Sequence, residues 1–534
     1  MILFQRKLLW VGLLITLLNT SLVLQWSARQ GRLALPVYFD DNHSMVDGAR
    51  RLEIWYQQGA ASVFKDYLSH PSHAPGHSAI AMASFALFGL HAWAPYLTNA
   101  IFFGLILYAL HLALQGIAPW IQSACMLLLA ASPIAGLSIL EFRSEVDVAE
   151  LGALAVLLFI TWSRKEGNPL LVSASALCFA LCFIIKPAVF PYTAGLMGLC
   201  GLFHLRRVVL AGDLRITPRQ YLLSIGWFIL LGILPPLPHY VLDWHHITGY
   251  IGAVAFSPSS IWLRHDDLLT GLLFHVTGYP GRIMMGASLK PHLVIILLSL
   301  VVRFLRSGSW PVGVPLLSLL FFTSGAYLGL AVNPMNQNYF GMTFHWLLLI
   351  TTLAALSGLI TAIFSQYLPA SGMALCAFAV VVFFTFKFPL SIDFFREKAG
   401  SDSETFVWLQ RSPELVLGSV RKEYMNSGAT KVWITAYTMI NARTLEWYSL
   451  LNREPFVFKD FFENDWQAVR QNLDWADIVV VPEKGTPSIE TILPNASMAG
   501  RMVEQLDRDP RFKLLERLGS PHGGPGFRIY TKIH

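Results

Sequence analysis

The chain has few charged residues for its length. Of its 534 residues, 13% are Asp, Glu, Lys or Arg, and 54% are hydrophobic. A soluble protein carries about 25% charged residues, so the composition excludes an ordinary soluble globular protein. The net charge of +6 fits cytoplasmic loops and lipid headgroups, and we expect no nucleic-acid partner.

Several motifs are also missing. All five cysteines lie in apolar runs and none forms a C-x-x-C pair, which excludes a disulfide framework or a cysteine-based zinc site in the polar segments. The C-terminal part has no GxGxxG or P-loop sequence to hold phosphates. No internal repeat of the kind found in many transporters is evident. Because the sequence has none of these cysteine-based or phosphate-binding motifs, we expect no cofactor.

Long apolar runs divide the first 390 residues. A hydrocarbon core about 30 Å thick requires about 20 residues of helix, and eleven runs approach that length. The sequence predicts an all-α membrane domain of about eleven transmembrane helices over 1–390, followed by a soluble α/β domain over 391–534. The predicted spans are 8–24, 95–115, 117–139, 148–163, 168–185, 188–205, 221–240, 290–305, 311–332, 342–363 and 371–389.

Lysine and arginine positions predict the orientation. With a cytoplasmic N-terminus, three loops that each carry two or more Lys or Arg fall on the cytoplasmic side, as the positive-inside rule requires. If 77–91 were a further span, these three loops would lie outside, against the positive-inside rule. We therefore expect that short helix to lie in the outer interface. The first outer loop then covers 25–76, and 391–534 lies outside. The cytoplasmic loops are 164–167, 206–220 and 303–310.

The C-terminal part alternates strand-like and helix-like stretches, which indicates a small α/β domain. In chain order, beginning with a strand, these stretches are 431–436, 444–451, 476–482, 497–518 and 526–533.

Two adjacent aspartates, Asp40 and Asp41, stand in the first outer loop. Neighbouring carboxylates near an apolar surface repel each other and lose hydration, so at least one should remain a good proton acceptor. Such a carboxylate can act as a general base towards a hydroxyl group. The alternative is a solvated pair that caps a helix over 45–57, and chemistry alone does not choose between the two.

Three histidines, His70, His73 and His77, fall within eight residues. Three histidines could bind zinc, but Pro71 and Pro75 interrupt the regular helix that would align them. We favour a polar lining at the membrane surface and expect no metal.

Further ionisable and aromatic side chains fall in the predicted outer segments, which favours a site on that side. Lys186, at an outer helix end, is either an anchor at the membrane surface or a cation that binds phosphate. The other candidates are Glu141, Arg143, Asp147, His245, His246, Arg264, Tyr279, Arg282, Asn338 and Tyr339.

The order of these motifs resembles the GT-C glycosyltransferases, in particular the bacterial branch of the protein O-mannosyltransferases and the lipid A aminoarabinose transferase. The Asp40-Asp41 pair lies where that branch has an acidic pair. The segment HAPGHSAIAMASFALFG is similar to its His-Pro-Pro segment and short helix, although the proline doublet is broken. The segments FRSEVD, IIKPAV and NPMNQNYFG resemble three further motifs.

The resemblance covers about residues 1–365 and implies an inverting glycosyltransferase at the outer face of a bacterial inner membrane. The donor would be a sugar on a polyprenyl monophosphate in the bilayer, and the acceptor a hydroxyl of a glycan, lipid or protein. Asp40 or Asp41 would deprotonate the acceptor, and Lys186 and Arg282 would bind the donor phosphate without a metal. A transporter or lipid flippase, and a non-enzymatic assembly protein, are the alternatives.

Overall fold

The computed structural model is mostly helical, with one small sheet near the C-terminus. It describes residues 2–37, 39–70, 74–164, 168–206, 217–252, 268–277, 284–285, 289–306, 315–331, 338–364, 368–386, 403–435, 440–459, 466–483, 498–519 and 526–533.

The chain forms two compact units. The first consists of Met1–Gln25, Phe64–Ala79 and Tyr96–Ser391. The second consists of Trp26–Val63, Ile80–Pro95 and Ile392–His534.

The helices that begin before residue 390 are numbered α1 to α18. They are α1 (Ile2–Gln30), α2 (Phe39–Gln58), α3 (Ala60–Ser69), α4 (Pro75–Phe88), α5 (Ala94–Ala113), α6 (Pro119–Ala131), α7 (Pro133–Leu140), α8 (Ser144–Arg164), α9 (Pro169–Ile185), α10 (Phe190–Arg206), α11 (Pro218–Ile233), α12 (Leu237–Leu242), α13 (Trp244–Ile251), α14 (Leu268–Thr277), α15 (Leu289–Leu305), α16 (Leu316–Ala331), α17 (Met342–Ile363) and α18 (Leu368–Phe386).

The described helices support a multi-pass membrane protein but do not confirm eleven spans. Four helices, α1, α5, α8 and α17, are long and apolar enough to cross a membrane, and the bent pair α6 and α7 makes a fifth if it is one span. Helices α9 and α16 have 17 and 16 residues. They are therefore about 25 Å long, which is short of a hydrocarbon core about 30 Å thick.

The predicted span 117–139 is broken into two helices that are bent by 58°. Ser132 ends α6, and its side-chain oxygen accepts a hydrogen bond from the amide of Ala135 in α7. Pro133 follows as the first residue of α7. Proline has no amide hydrogen with which to continue α6 but fits the first turn of a new helix.

The same pairing of a capping residue with a proline begins two other helices, at Asn168-Pro169 for α9 and at Thr217-Pro218 for α11. The predicted span 221–240 is also two helices, α11 and α12. Between the predicted spans 221–240 and 290–305, the structure has α13 and α14.

The predicted first outer loop is largely helical. Helix α1 continues to Gln30, and α2 and α3 follow. Asp40 and Asp41 lie in the first turn of α2, whereas the sequence placed them ahead of a helix over 45–57. Carboxylates are favourable in this position because the exposed amides of a helix N-terminus carry partial positive charge.

Helix α8 forms the centre of the first unit. Its apolar segment Ser144–Ser163 is buried, and the helix packs against α9 and α17. Its first turn contains Glu145 and Asp147, which both precede the predicted span 148–163. This position brings both carboxylates into the packed interior of the unit.

The C-terminal part of the second unit is a five-stranded sheet covered by helices. Strands β1, β2 and β3 are parallel, β5 is antiparallel to β3 and β4, and the order is β2-β1-β3-β5-β4. The elements are α19 (Ser403–Ser427), β1 (Lys431–Ile434), α20 (Ala442–Leu451), β2 (Val457–Lys459), α21 (Trp466–Trp475), β3 (Ile478–Pro482), α22 (Met498–Arg508), β4 (Phe512–Leu518) and β5 (Phe527–Lys532).

The sheet has a hydrophobic core on each face. Val432 and Ile434 of β1 belong to one core, and Trp433 between them belongs to the other. Successive residues of a strand point to opposite faces, so helices on both sides account for the continuous apolar sequence of the inner strands. The predicted helical stretch 497–518 is instead α22 followed by β4.

Gly76, in the first turn of α4, lies against the last turn of α9. A Cβ atom at Gly76 would lie 2.9 Å from backbone atoms of Ile184 and Ile185. Backbone atoms cannot move aside as the end of a flexible side chain can. The close approach of α4 and α9 therefore requires glycine at this position.

We expect Gly76→Ala to lower the thermal unfolding temperature in detergent, because overpacking of this kind costs about 1–3 kcal/mol. Gly198→Ala in α10 is the matched control, since a Cβ atom added there would meet nothing within 4 Å. Equal unfolding temperatures for both variants and the wild type would contradict the close contact.

Candidate active site

Three helix ends of the first unit meet around buried ionisable side chains. They are the start of α4, the start of α8 and the end of α9, where Lys186 follows Ile185. We call this group the charged cluster. Its members are His77, Arg143, Glu145, Asp147, Lys186 and Tyr339.

His77 and Asp147 form a buried pair. The Nδ1 atom of His77 lies 2.7 Å from Oδ2 of Asp147, and its Nε2 lies 3.2 Å from the carbonyl oxygen of Phe142. The imidazole also stacks on the Phe142 ring at 3.9 Å. A carbonyl can only accept, so Nε2 must carry a hydrogen, and one further proton is shared between Nδ1 and the carboxylate. The pair is neutral overall wherever that proton lies.

Lys186 and Arg143 share the carboxylate of Glu145. The Lys186 ammonium lies 2.5 Å from Oε1 of Glu145, and Nε of Arg143 lies 3.9 Å from Oε2. The three side chains are at most 10% exposed. An unpaired charge would be costly at this depth, and Glu145 supplies one negative charge between the two cations.

Tyr339 extends the cluster towards the start of α17. The guanidinium carbon of Arg143 lies 4.2 Å from the centroid of the Tyr339 ring, a cation–π contact. Asn338 begins the same 3-10 turn, Asn338–Gly341, but its side chain is outside the described part of the structure. Glu141 is half-buried and ends α7, and its carbonyl accepts a hydrogen bond from the side chain of Asn99.

In the second unit, Asp41 forms a buried ion pair with Arg32. The Nε and Nη2 atoms of Arg32 lie 3.0 and 2.9 Å from Oδ2 of Asp41. Asp41 is fully buried, and Arg32 is 9% exposed. Arg32 begins the short turn Arg32–Ala34 between α1 and α2, so the turn supplies the cation that neutralises the carboxylate. The side chain of Asp40 lies outside the described residues.

The N-terminus of α2 is fixed to the start of α20. The side-chain amide of Asn42 donates to Oδ1 of Asn441, at 3.0 Å, and the hydroxyl of Thr444 donates to the carbonyl oxygen of Val37, at 2.8 Å. Asn441 also caps α20. These hydrogen bonds hold the helix that carries the aspartate pair against residues about 400 positions later.

The remaining predicted site residues are not brought into the charged cluster by any described contact. His245 and His246 are exposed on α13, which packs against the turn Pro187–Val189 that follows Lys186. The side chain of His70 contacts Asp66 at 3.3 Å. His73, Arg264, Tyr279 and Arg282 lie outside the described residues. Within the described ranges, no three His, Cys, Asp or Glu side chains are arranged to hold a metal.

Two ionisable side chains near these sites were not predicted. Glu150 is fully buried one turn after Asp147 in α8, and its position inside a predicted span was a signal, because ionisable residues there are usually functional. Arg32 gave no such signal, since a single arginine between two segments does not reveal which carboxylate it will contact.

The fold is similar to that of known GT-C glycosyltransferases, which confirms the predicted resemblance at the level of fold. Two crystal structures of ArnT from Cupriavidus metallidurans match with 11% identity. The apo structure has a TM-score of 0.54 and covers 93% of this chain and 94% of ArnT. The structure bound to undecaprenyl phosphate has a TM-score of 0.55 and covers 97% of each chain.

The arabinofuranosyltransferase AftD from Mycobacteria, solved by cryo-electron microscopy, matches with a TM-score of 0.54 and 13% identity. The match covers 99% of this chain and 40% of AftD. No protein-family model and no curated protein sequence matches this chain.

Proposed function

We propose that this protein is an inverting glycosyltransferase that moves a sugar from a polyprenyl monophosphate to a hydroxyl acceptor at the outer face of the membrane. The observation that carries the proposal is the structural match over 97% of both chains to ArnT bound to undecaprenyl phosphate. The acceptor hydroxyl belongs to a glycan, a lipid or a protein. The proposal includes no metal.

The charged cluster is proposed to bind the donor phosphate. When the bond between the anomeric carbon and the phosphate oxygen breaks, negative charge develops on the phosphate and must be stabilised. Lys186 and Arg143 are cations at the end of α9 and the start of α8, and both already contact a carboxylate oxygen. A phosphate oxygen has the same chemistry towards them. Arg282 keeps its proposed role as a further phosphate ligand.

The aspartate pair is proposed to act on the acceptor. One carboxylate takes the proton of the acceptor hydroxyl as its oxygen attacks the anomeric carbon and the polyprenyl phosphate leaves. Asp41 is bound to Arg32 through Oδ2, and a carboxylate held by a guanidinium is a weaker base. We therefore assign the general base to Asp40 and an orienting role to Asp41.

The proposed membrane topology is the one that the sequence predicts. The N-terminus lies in the cytoplasm, 1–390 forms the catalytic membrane domain with α4 in the outer interface, and 391–534 lies outside. Helix α4 has 14 residues and is therefore about 21 Å long, too short for a hydrocarbon core about 30 Å thick.

Reporter fusions at Arg207 and Ser497 test this topology. We expect the fusion at Arg207 to report the cytoplasm and the fusion at Ser497 the opposite compartment, because Arg207 lies in an arginine-rich predicted loop. Reports from the same compartment would show that the topology is wrong.

The role of the charged cluster is tested by Lys186→Met and Glu145→Gln. If Lys186 binds the donor phosphate, Lys186→Met should weaken binding of a polyprenyl phosphate about tenfold or more, since a charged hydrogen bond contributes about 1.5–3 kcal/mol. Glu145→Gln keeps the ammonium and should bind the lipid at least as tightly as the wild type. Binding of the lipid is measured at the same concentration of folded protein for each variant and for the wild type.

Both variants break the same buried ion pair, so both should lose stability. A purely structural role for Lys186 predicts that they unfold more easily but bind the lipid with unchanged affinity. That result would remove Lys186 from the donor site.

The role of the aspartate pair is tested by measuring release of polyprenyl phosphate from a labelled lipid-linked sugar. Asp40→Asn should lose about 10²–10⁴-fold in rate, the usual effect of removing a general base, because Asn keeps the shape and loses the basicity. Asp41→Asn should lose less rate but more stability, since it leaves buried Arg32 without its carboxylate. The Asp40 assignment fails if Asp40→Asn turns over near the wild-type rate.

The same assay separates the proposal from the two alternatives. A transporter or lipid flippase would move the lipid-linked sugar without releasing polyprenyl phosphate, and an assembly protein would do neither. Wild-type protein that releases no polyprenyl phosphate with any lipid-linked donor in a broad library would overturn the proposed function.

A further inference from the structure

Several buried polar side chains of the first unit meet at one turn of α7 and have no role in the proposed reaction. Asn19 of α1, Asn99 of α5 and Glu150 of α8 all approach this turn, which contains Ser138. We call these four residues the polar cluster. Each of them is fully buried. Polar groups at this depth are costly, and ionisable ones inside a membrane domain usually serve a function.

The two asparagines of the cluster leave acceptor oxygens without donors. The side-chain nitrogen of Asn99 donates to the carbonyl oxygens of Ser138 and Glu141, each at 2.9 Å. The side-chain nitrogen of Asn19 donates to the carbonyl oxygen of Ala135, at 3.5 Å. A carbonyl can only accept, so these bonds fix which end of each amide is the nitrogen. The opposite end of each amide, Oδ1, is buried and has no hydrogen-bond donor among the described residues.

Glu150 adds two further acceptor oxygens and a charge. Neither Oε1 nor Oε2 has a hydrogen-bond donor in the described part of the chain. The groups that act on Glu150 electrostatically are Asp147 and the hydroxyl of Ser138, and that hydroxyl donates to the carbonyl oxygen of Ala135, at 3.3 Å. Asp147 belongs to the neutral pair with His77, so it brings no positive charge. A carboxylate at Glu150 therefore needs a cation from elsewhere.

The unmatched charge and the unmatched oxygens indicate one kind of ligand. A proton on Glu150 would remove the charge but could donate to only one of the other oxygens. A water molecule would donate two hydrogens and leave the charge. A monovalent cation balances the single charge and is bound by several oxygens at once, because carboxylate and carbonyl oxygens are the ligands of hard cations. A divalent cation would leave an excess positive charge.

We propose that the polar cluster binds one sodium ion, with Glu150 as its carboxylate ligand and Oδ1 of Asn19 and of Asn99 as amide ligands. The ion neutralises Glu150 and joins α1, α5 and α8 around one turn of α7. Such a site has a single carboxylate, unlike a group of three His, Cys, Asp or Glu side chains, which the described residues do not form. The ion takes no part in the proposed glycosyl transfer, so its binding does not depend on that function.

Binding is tested with radioactive sodium on the full-length protein in detergent, at constant ionic strength with choline as the other cation. We expect saturable binding of one sodium ion per chain. Sodium chloride should also give a higher thermal unfolding temperature than choline chloride, because a ligand that binds only the folded state stabilises it. Folded wild-type protein without saturable sodium binding would overturn the proposal.

Variants locate the ion. Glu150→Gln keeps the shape of the side chain and removes its charge, so it should abolish saturable sodium binding and the difference between the two salts. In choline chloride it should unfold at or above the wild-type temperature, since it buries no unpaired carboxylate. Asn19→Ala removes one amide ligand and should weaken sodium binding severalfold, measured per folded protein. Glu504→Gln, on the exposed surface of α22, is the matched control and should bind sodium like the wild type.

Infrared spectroscopy separates a sodium ion from a proton. We expect no carbonyl band of a buried carboxylic acid from Glu150 in saturating sodium. A band that persists in sodium and disappears in Glu150→Gln would show that Glu150 carries a proton and would contradict the sodium site. Equal sodium binding by the wild type and Glu150→Gln would place the ion elsewhere and also contradict it. Absence of polyprenyl phosphate release, with sodium binding intact, would count against the proposed function alone.

Discussion

The structure depends on one constraint: a charge that is buried among apolar helices must be paired. Moving an ion out of water costs several kcal/mol even after the protein relaxes. The described sites meet this cost with three ion pairs, Arg32 with Asp41, His77 with Asp147, and Lys186 with Glu145. Each pair joins separate helices or a helix and a turn, so each neutralises charge and also fixes where the chain segments meet.

These pairs explain why the start of α4 packs against the interior of the first unit. His77 lies 70 residues before Asp147, and Glu145 lies 41 residues before Lys186. The start of α4 must approach the end of α9 to bring these residues to one place, and Gly76 permits that approach because a side chain would meet backbone atoms there. A buried pair with both partners present is tolerated, whereas one with a partner removed is strongly destabilising. Packing and electrostatics therefore constrain the same turn of α4.

Much of the fold could be predicted from local sequence, but its contacts could not. Apolar runs located most of the helices, and alternation located three of the five strands. The helix breaks at Ser132-Pro133 and after Ile233 were missed. The apolar runs were judged over about 20 residues, whereas a single proline is enough to end a helix. The Arg32–Asp41 pair and the hydrogen bond from Asn42 to Asn441 have no local signal, since they depend on which segments meet. Candidate residues could therefore be selected by their chemistry, but their partners could not.

The Lys186–Glu145 pair also suggests how a buried cation can serve a charged substrate. A phosphate that arrives at Lys186 must compete with Glu145, and two anions on one ammonium repel each other. Arg143 lies 3.9 Å from the other oxygen of Glu145 and can hold that carboxylate while Lys186 turns to the phosphate. The carboxylate of Glu145 then keeps one of its two cations as a partner while the phosphate takes the other. In the proposed reaction, Arg143 would therefore support donor binding in two ways, by direct contact with the phosphate and by holding Glu145 when Lys186 releases it.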